Sequence, residues 1–318
     1  MSKIKRILTG LKPSGSIHIG NYFGSIHPYL DLLHTKSVET ECFFMVADYH
    51  ALISNKNSCD LRNSIRENVR DYLALGLQGT NVNIFRQSSN PDHIELAWIL
   101  NCMVSMSFLK QAHAYKDSVA KGNEPNAGLF TYPILMASDI ILYDTDIVPV
   151  GEDQRQHVEY AREAICKFTN IYGDTFKTPK EHIIESVGVV PGIDGRKMSK
   201  SYDNTIPMFS DKDTIHALCM KIVTDSTGDI PKNVYDIHKL FRKEKDLSII
   251  YSENKGKYKI LKDLLTEDIN EFMEPLIKIR ESISDAEVDS VLKEGNKRAR
   301  DVSTVKMEIV RNKIGITI

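Results

Sequence analysis

Thr9-Gly10-Leu11-Lys12-Pro13-Ser14-Gly15-Ser16-Ile17-His18-Ile19-Gly20-Asn21-Tyr22-Phe23-Gly24 is the stretch on which the reading of this 318-residue chain turns. It follows a short β-type run, Arg6–Leu11, turns at Pro13-Ser14-Gly15 and opens a helix. A helix that begins just after a first strand presents free backbone N–H groups and a partial positive charge, which suits phosphate. Gly20 leaves bare backbone against which a flat base can lie, and His18 and Asn21 can donate hydrogen bonds to phosphate or ribose. An ordinary strand–turn–helix also accounts for the segment taken alone, so the rest of the chain has to decide.

The first half continues the alternation. Further β-type runs are expected at Cys42–Ala47, Asn83–Arg86 and Asp146–Val150. Between them lie helix-period stretches at Asp60–Leu77, His93–Leu109, Thr131–Tyr143 and Glu152–Tyr172. In the first of these Leu61, Ile65, Val69, Tyr72 and Leu73 form an apolar stripe, while Arg62, Arg66, Glu67 and Arg70 keep the other side polar. Strands alternating with helices predict an α/β architecture, a Rossmann-like nucleotide-binding domain built on a parallel sheet. The pattern changes after the glycine-rich stretch Gly188–Gly195, and from Asp211 onward it reads as amphipathic helix. Lys257–Ser284 and Ala286–Ile314 are long charged helices, expected to break at Pro275 and to fray near Gly295, and to form an appended α-helical domain. The domains are therefore expected at 1–195 and 196–318.

Composition narrows the function classes. With 42% hydrophobic and 26% charged residues the chain is of ordinary globular type. Its 41 Lys and Arg against 43 Asp and Glu leave a net charge of −2, so a nucleic-acid partner has to meet a local patch, and a DNA-coating role is disfavoured. Cys42, Cys59, Cys102, Cys166 and Cys219 stand singly, with neither a C-x-x-C pair nor zinc-site spacing, which predicts a reducing compartment and no metal site. The start, Met1-Ser2-Lys3-Ile4-Lys5, is too polar for a signal peptide or membrane span. A cytoplasmic protein is expected.

Three further segments carry chemistry. Lys197-Met198-Ser199-Lys200-Ser201 sits between Gly192, Gly195 and Asn204, and two lysines on such a loop can close over a polyphosphate and neutralise a departing pyrophosphate. A lone K-x-x-K is more often plain surface. In Tyr132-Pro133-Ile134-Leu135-Met136-Ala137-Ser138-Asp139, positions 132, 136 and 139 share one helix face. A carboxylate there beside a pliable thioether needs a donor, and an indole N–H would supply it. In Val148-Pro149-Val150-Gly151-Glu152-Asp153-Gln154 a strand enters a helix, and its first turn places acceptors where ribose hydroxyls and an ammonium group could be held. Capping by acidic residues explains Glu152 and Asp153 but not Gln154. No G-x-x-x-x-G-K-[ST] occurs, which disfavours a P-loop NTPase.

His18-Ile19-Gly20-Asn21 departs from the HIGH motif of class I aminoacyl-tRNA synthetases only in its last residue, and Lys197–Ser201 matches their KMSKS motif letter for letter. Together with Gly128–Gln154, Ala47–Ala51 and Val223–Ser226, these segments make the whole chain resemble the bacterial tryptophanyl-tRNA synthetases. The resemblance implies ATP-dependent activation of L-tryptophan and transfer to tRNA(Trp) by a homodimer, with Mg²⁺ on the phosphates. It implies an Asp139 that accepts the indole N–H, in a pocket lined by Tyr132, Met136, His50, Val148, Val150 and Gln154. Nucleotide contacts would come from Lys12, Pro13, Ser14, Gly20, Asn21, Gly151, Glu152, Asp153, Lys197, Met198, Ser199, Lys200 and Ser201, and from Val189 or Val190. Lys197, Lys200, Lys12 and His18 would serve catalysis. Many members carry glutamine in place of Lys12 and threonine in place of His18. Two alternatives stand beside this reading. The tyrosyl-tRNA synthetases generally place a tyrosine where this chain has the apolar Leu8, which leans towards indole. A non-catalytic paralogue that binds tryptophan or RNA is the other, and the intact motifs argue against it.

Overall fold

The computed structural model describes residues 4–35, 40–150, 155–183, 190–224 and 230–317. Five strands, β1 (Lys5–Leu11), β2 (Thr40–Val46), β3 (Val82–Arg86), β4 (Ile147–Val150) and β5 (Lys180–Ile183), form one sheet in the order β3-β2-β1-β4-β5. Every pairing is parallel. The chain moves outward from β1 in both directions, so the carboxyl ends of β1 and β4 flank the switch point where open parallel sheets bind ligands. The four expected strands are present within two residues of their expected bounds. β5 was missed because its sequence, Lys180-Glu181-His182-Ile183, lacks an apolar run; as an edge strand it has one neighbour and does not need one.

Alternate residues of the strands feed two cores. Ile7, Cys42, Phe44, Val46 and Ile84 point to one face, Leu8, Phe43, Met45 and Phe85 to the other. The first face is covered by α2 (His27–Thr35), which follows the short α1 (Ile19–Asn21), and by α4 (Ser58–Ala74), which follows the single turn α3 (Asp48–Ala51). The second is covered by α5 (Asp92–Asn101), α6 (Met106–Leu109), α8 (Ala127–Ile141) and α9 (Arg155–Tyr172), with α7 (His113–Ala120) leading into α8. The single helix expected over His93–Leu109 is two, because Ser105 stops in an extended conformation and caps a new helix by accepting from the Phe108 N–H at 3.2 Å. The first residues of the helix expected from Glu152 lie outside the described residues.

The C-terminal region is helical: α10 (Lys212–Lys221), α11 (Lys232–His238), α12 (Glu244–Glu253), α13 (Tyr258–Ser282) and α14 (Asp285–Ile314). Two expectations are corrected here. Pro275 lies inside α13 without breaking it, since Leu265, Ile269 and Met273 remain packed in the first core and outweigh one lost backbone bond. Gly295 does not fray α14; it is where the helix presses on the sheet. A Cβ at Gly295 would stand 1.9 Å from the Ile84 carbonyl oxygen. Beside it, Asn296 Oδ1 accepts from the Arg86 N–H at 2.9 Å and from the Ser89 hydroxyl at 2.8 Å. Arg298 bonds Glu41, which also receives Arg6. Further along, Ala299, Met307 and Val310 join the second core. α14 thus covers the sheet edge that β3 would otherwise expose.

Gly295→Ala should therefore destabilise the protein by about 2–3 kcal/mol, since the new methyl group meets backbone that has nowhere to move. Equilibrium urea unfolding measures this, and an unchanged midpoint would remove the close approach of α14 to β3.

Candidate functional site

The first cluster lies where β1 ends. Leu11 leads through Lys12 and the buried Pro13 to His18, the residue that caps α1. His18 Nδ1 accepts from the Asn21 N–H at 3.2 Å while Asn21 Oδ1 accepts from the His18 N–H at 3.3 Å. The two side chains first satisfy each other as a capping box. With Nδ1 accepting, the ring proton sits on Nε2, which is the donor left for a ligand. Burial, with Lys200's charge added, pushes the His18 pKa down to about 4, so the ring is neutral near pH 7.

The second cluster, Lys197–Ser201, closes onto the first. Chain pairing ties Ile19 N–H to the Ile206 carbonyl at 3.0 Å and Met208 N–H to the Ile17 carbonyl at 2.8 Å. The Met198 N–H bonds the buried Val190 at 2.9 Å, and Ser199 takes Asn204 Oδ1 through its N–H at 2.7 Å. The Ser199 and Ser201 hydroxyls are 3.0 Å apart. Met198 is buried against Gly20, whose missing Cβ would lie 3.2 Å from Met198 Cβ and 3.0 Å from the His18 ring. In this arrangement the bare face of Gly20 admits Met198. Lys200 Nζ donates to the Ser14 carbonyl at 2.8 Å. Between the two clusters lies a cavity of about 130 Å³ lined by Lys12, Ser14, Asn21, Asn68, Tyr72 and Lys200. Lys12 and Lys200 keep solvent-accessible surface, yet the crowding atoms desolvate both ammonium groups and lower both pKa values, Asp71 partly opposing the effect at Lys200. Two cations in a small cavity beside a helix start suit an anion.

The third cluster is on α8. Asp139 is 1% exposed and ionised. Its Oδ2 receives His50 Nε2 at 2.9 Å, its Oδ1 receives His93 Nδ1 at 2.7 Å, and Gln87 Nε2 reaches both oxygens at 2.9 Å. Burial alone would raise the carboxyl pKa, but the hydrogen bonds from His50 and His93 outweigh it and hold the value at about 2. Tyr132 and Met136 are half-buried on the same helix, and the Tyr132 ring meets His50 edge-on at 6.3 Å. Leu8 and Val148 are buried in the core under this helix, and Val150 packs at its margin.

The structure therefore brings together Lys12, Pro13, Ser14, His18, Gly20, Asn21 and Lys197–Ser201 as one group. It brings together Tyr132, Met136, Asp139, His50, Leu8, Val148 and Val150 as another. Gly151, Glu152, Asp153, Gln154 and Val189 lie outside the described residues. Sequence reasoning missed Gln87 and His93. Their signal was the polar run Gln87-Ser88-Ser89-Asn90 directly after β3, too polar for a buried strand end without a ligand or a buried charge to serve. Among the described residues no group of three or more His, Cys, Asp or Glu side chains is arranged to hold a metal, and no helix is long and apolar enough to cross a membrane.

Comparison with known proteins agrees with this geometry. The family model described as "tRNA synthetases class I (W and Y)" matches residues 3–283. The tryptophan–tRNA ligase of Fusobacterium nucleatum is 40% identical over 98% of both chains, and that of Campylobacter jejuni is 41% identical over 98% of this chain and all of its own. The crystal structure of the Campylobacter jejuni tryptophanyl-tRNA synthetase with ADP and tryptophan superposes with a TM-score of 0.88 at 38% identity, covering 98% of this chain and 99% of that one.

The depressed His18 pKa has a measurable consequence. Between about pH 4 and pH 6.5 the unfolded chain binds a proton that folded His18 refuses, so the His18 contribution to stability rises with pH across that window. Long-range proton–nitrogen NMR should find His18 neutral, with the hydrogen on Nε2, from pH 5.5 to 8. A titration midpoint above 6 would contradict it.

Proposed function

The chain belongs to the class I tRNA synthetases of tryptophan and tyrosine, and from that premise we propose how its residues divide the reaction. Its activity is that of a tryptophan–tRNA ligase using ATP. The observation that carries the assignment of side-chain choice is the buried, ionised Asp139, an acceptor on the same helix face as the half-buried Tyr132 and Met136. An indole N–H joins it by taking the place of one of the two contacts from Gln87 Nε2. Tyr132, Met136, His50, Val148, Val150 and Gln154 enclose the ring, with Leu8 beneath. A phenol does not match an apolar Leu8, which separates this reading from tyrosine activation.

Activation is in-line attack of the tryptophan carboxylate on the ATP α-phosphorus, giving tryptophanyl-adenylate and pyrophosphate. The nucleophile is already ionised at neutral pH, so catalysis rests on positioning and on stabilising charge that grows on the leaving group. Lys200 and Lys197, with Lys12, supply that charge. Lys200 Nζ donates to the Ser14 carbonyl at the edge of the cavity, within reach of a phosphate there. His18 donates through Nε2–H, Asn21 and Ser14 border the phosphates, and Ser199 and Ser201 order the loop. Gly20, Pro13, Met198 and Val189 contact the base and ribose together with Gly151, Glu152 and Asp153. Mg²⁺ enters with the triphosphate as part of the substrate. Residues 1–195 carry this step, and 196–318 supply the loop and the helical region that meets tRNA(Trp).

For the tRNA, support comes from a groove of about 750 Å³ between α4, the end of β3 and α14, where Arg62, Arg86, Lys293 and Arg300 outnumber the acids, Asp289 being bonded to Arg66 and Asp301 lying 3.8 Å from Lys297. Of the other basic residues near the C-terminus, Arg298 is tied to Glu41, and Arg311 to Glu95 and Asp92. The groove fits a phosphate backbone. A second copy of the chain fits the exposed apolar face of α5 and α6, where Ile94, Trp98 and Met106 stand 45%, 70% and 63% exposed; a monomer alone in sedimentation velocity would remove the dimer. A protein that meets its substrates this way works in the cytoplasm.

Amino-acid-dependent ATP–pyrophosphate exchange tests the reading, with tryptophan alone among the twenty expected to support it. In the same assay Lys200→Ala should slow activation by a factor of about 10² to 10³. A rate within threefold of the unaltered enzyme would end that role. Replacing both Arg62 and Lys293 by Ala should instead raise the KM for tRNA in charging and flatten its salt dependence by about one per cation removed. An unchanged salt slope would count against the groove.

A further inference from the structure

Asp139 is not positioned by its own helix alone. On the far side of His93 from the carboxylate, His93 Nε2 lies 2.7 Å from the Tyr143 hydroxyl. Asn90 Nδ2 reaches that hydroxyl at 3.2 Å and the Ser303 hydroxyl at 2.8 Å. Ser303, on α14, reaches Asp92 Oδ2 at 2.6 Å, and Arg311, further along α14, is 3.3 Å from Asp92 Oδ1. His93, Tyr143, Asn90 and Ser303 are all fully buried. An unbroken line of hydrogen bonds thus joins the last helix of the chain to the pocket carboxylate.

The two carboxylates at its ends fix the direction of every proton in it. A carboxylate only accepts, so Ser303 donates its O–H to Asp92 and leaves its oxygen to accept from Asn90. Asn90 Oδ1 already accepts from the Asp92 N–H at 3.2 Å, which turns the amide NH₂ towards Ser303 and Tyr143. The Tyr143 oxygen therefore accepts from Asn90, and its proton goes to His93 Nε2. At the other end Asp139 requires the hydrogen on His93 Nδ1. The ring is thus held in one orientation, accepting at Nε2 and donating at Nδ1 to Asp139. The remaining groups around the ring are Phe85 stacked on its face, Ser138 on its backbone carbonyl, and His50 and Gln87 beyond Asp139.

We propose that this line makes Tyr143 and Ser303 positioning residues for amino-acid selectivity, so that α14 takes part in recognition of the indole through Asn90 and His93. The proposal rests on Asp139 being the acceptor for the indole N–H. His93, held in this way, orients the carboxylate. Losing the Tyr143 hydroxyl leaves Nε2 without its partner and the ring free to turn, and losing the Ser303 hydroxyl frees Asn90 to turn.

The test is pyrophosphate exchange by the full-length enzyme, with tryptophan and with 3-(benzothiophen-3-yl)-L-alanine, which keeps the shape and lacks the N–H. Tyr143→Phe and Ser303→Ala should each lower the preference in kcat/KM for tryptophan by about tenfold, through the KM for tryptophan and with kcat nearly unchanged. Ser303→Thr, which restores the hydroxyl, should keep the preference. A purely structural role would depress both substrates together and leave their ratio alone, so a preference unchanged in Ser303→Ala and in any folded Tyr143→Phe overturns the proposal. If Tyr143→Phe does not fold, the Ser303 pair decides. Asp139→Ala, which has no acceptor, separates the two levels: if it too leaves the preference unchanged, the assignment of Asp139 fails, and if it alone abolishes the preference, only the role of the line behind it fails.

Discussion

A buried negative charge sets the terms for the rest of this structure. Asp139 is fully ionised with almost no contact with water, and an isolated carboxylate in that position would cost more than the whole fold is worth. It is held by donors from two separate places, His50 just after β2 and Gln87 and His93 after β3, with its own helix α8 lying across them. Each donor sits at the carboxyl end of a strand because only there does a parallel sheet offer side chains that leave the core without reaching solvent. The charge therefore dictates more than a pocket. It dictates that β2, β3 and α8 keep their mutual positions, since losing one partner of such a cluster leaves the others around an uncompensated charge, at a cost of about 3–5 kcal/mol.

The opposite end of the site solves the reverse problem, that of keeping cations near one another without a permanent counter-charge. Lys12 and Lys200 border one small cavity, and desolvation lowers the pKa of both. The nearest carboxylate, Asp71, is occupied elsewhere: Arg280 from α13 bonds it at 2.5 Å, and even so burial lifts its pKa to about 6. Because its charge is already engaged by Arg280, Asp71 is a poor sink for the lysines and leaves their charge available to an incoming anion. Arg280 of α13 also bonds Glu67 of α4, so α13 tunes a site that it does not line.

The parts legible in the sequence are those governed by local chemistry. The apolar run at Cys42–Val46, the glycine turn after β1 and the shared face of Tyr132, Met136 and Asp139 depend on local sequence alone, which is written in the chain. What was not legible depends on distant partners. β5 has no apolar run because an edge position removes the need for one. Pro275 does not break α13 because tertiary packing outweighs a local defect. Gln87 and His93 read as the polar end of a strand and the start of a helix, and acquire meaning only when α8, some fifty residues later, brings a carboxylate to meet them.

Gly295 is the clearest case of a residue whose local and global meanings oppose each other. Within a charged helix a glycine is a weak point that costs about 1 kcal/mol against alanine. Here the missing side chain lets α14 settle directly on the backbone of Ile84, and the gain is the position of everything beyond it. With Gly295 seated, Asn296 takes the free N–H of Arg86, Ser303 arrives beside Asn90, and Arg311 reaches Asp92 and Glu95. A helix standing even one side-chain width further out would lose all three bonds together. The polar groups it now satisfies, left behind in the interior without water, would each cost about 1–3 kcal/mol. The intimate contact of one glycine with one strand is thus what allows the end of the chain to share in building a pocket that its own residues never touch.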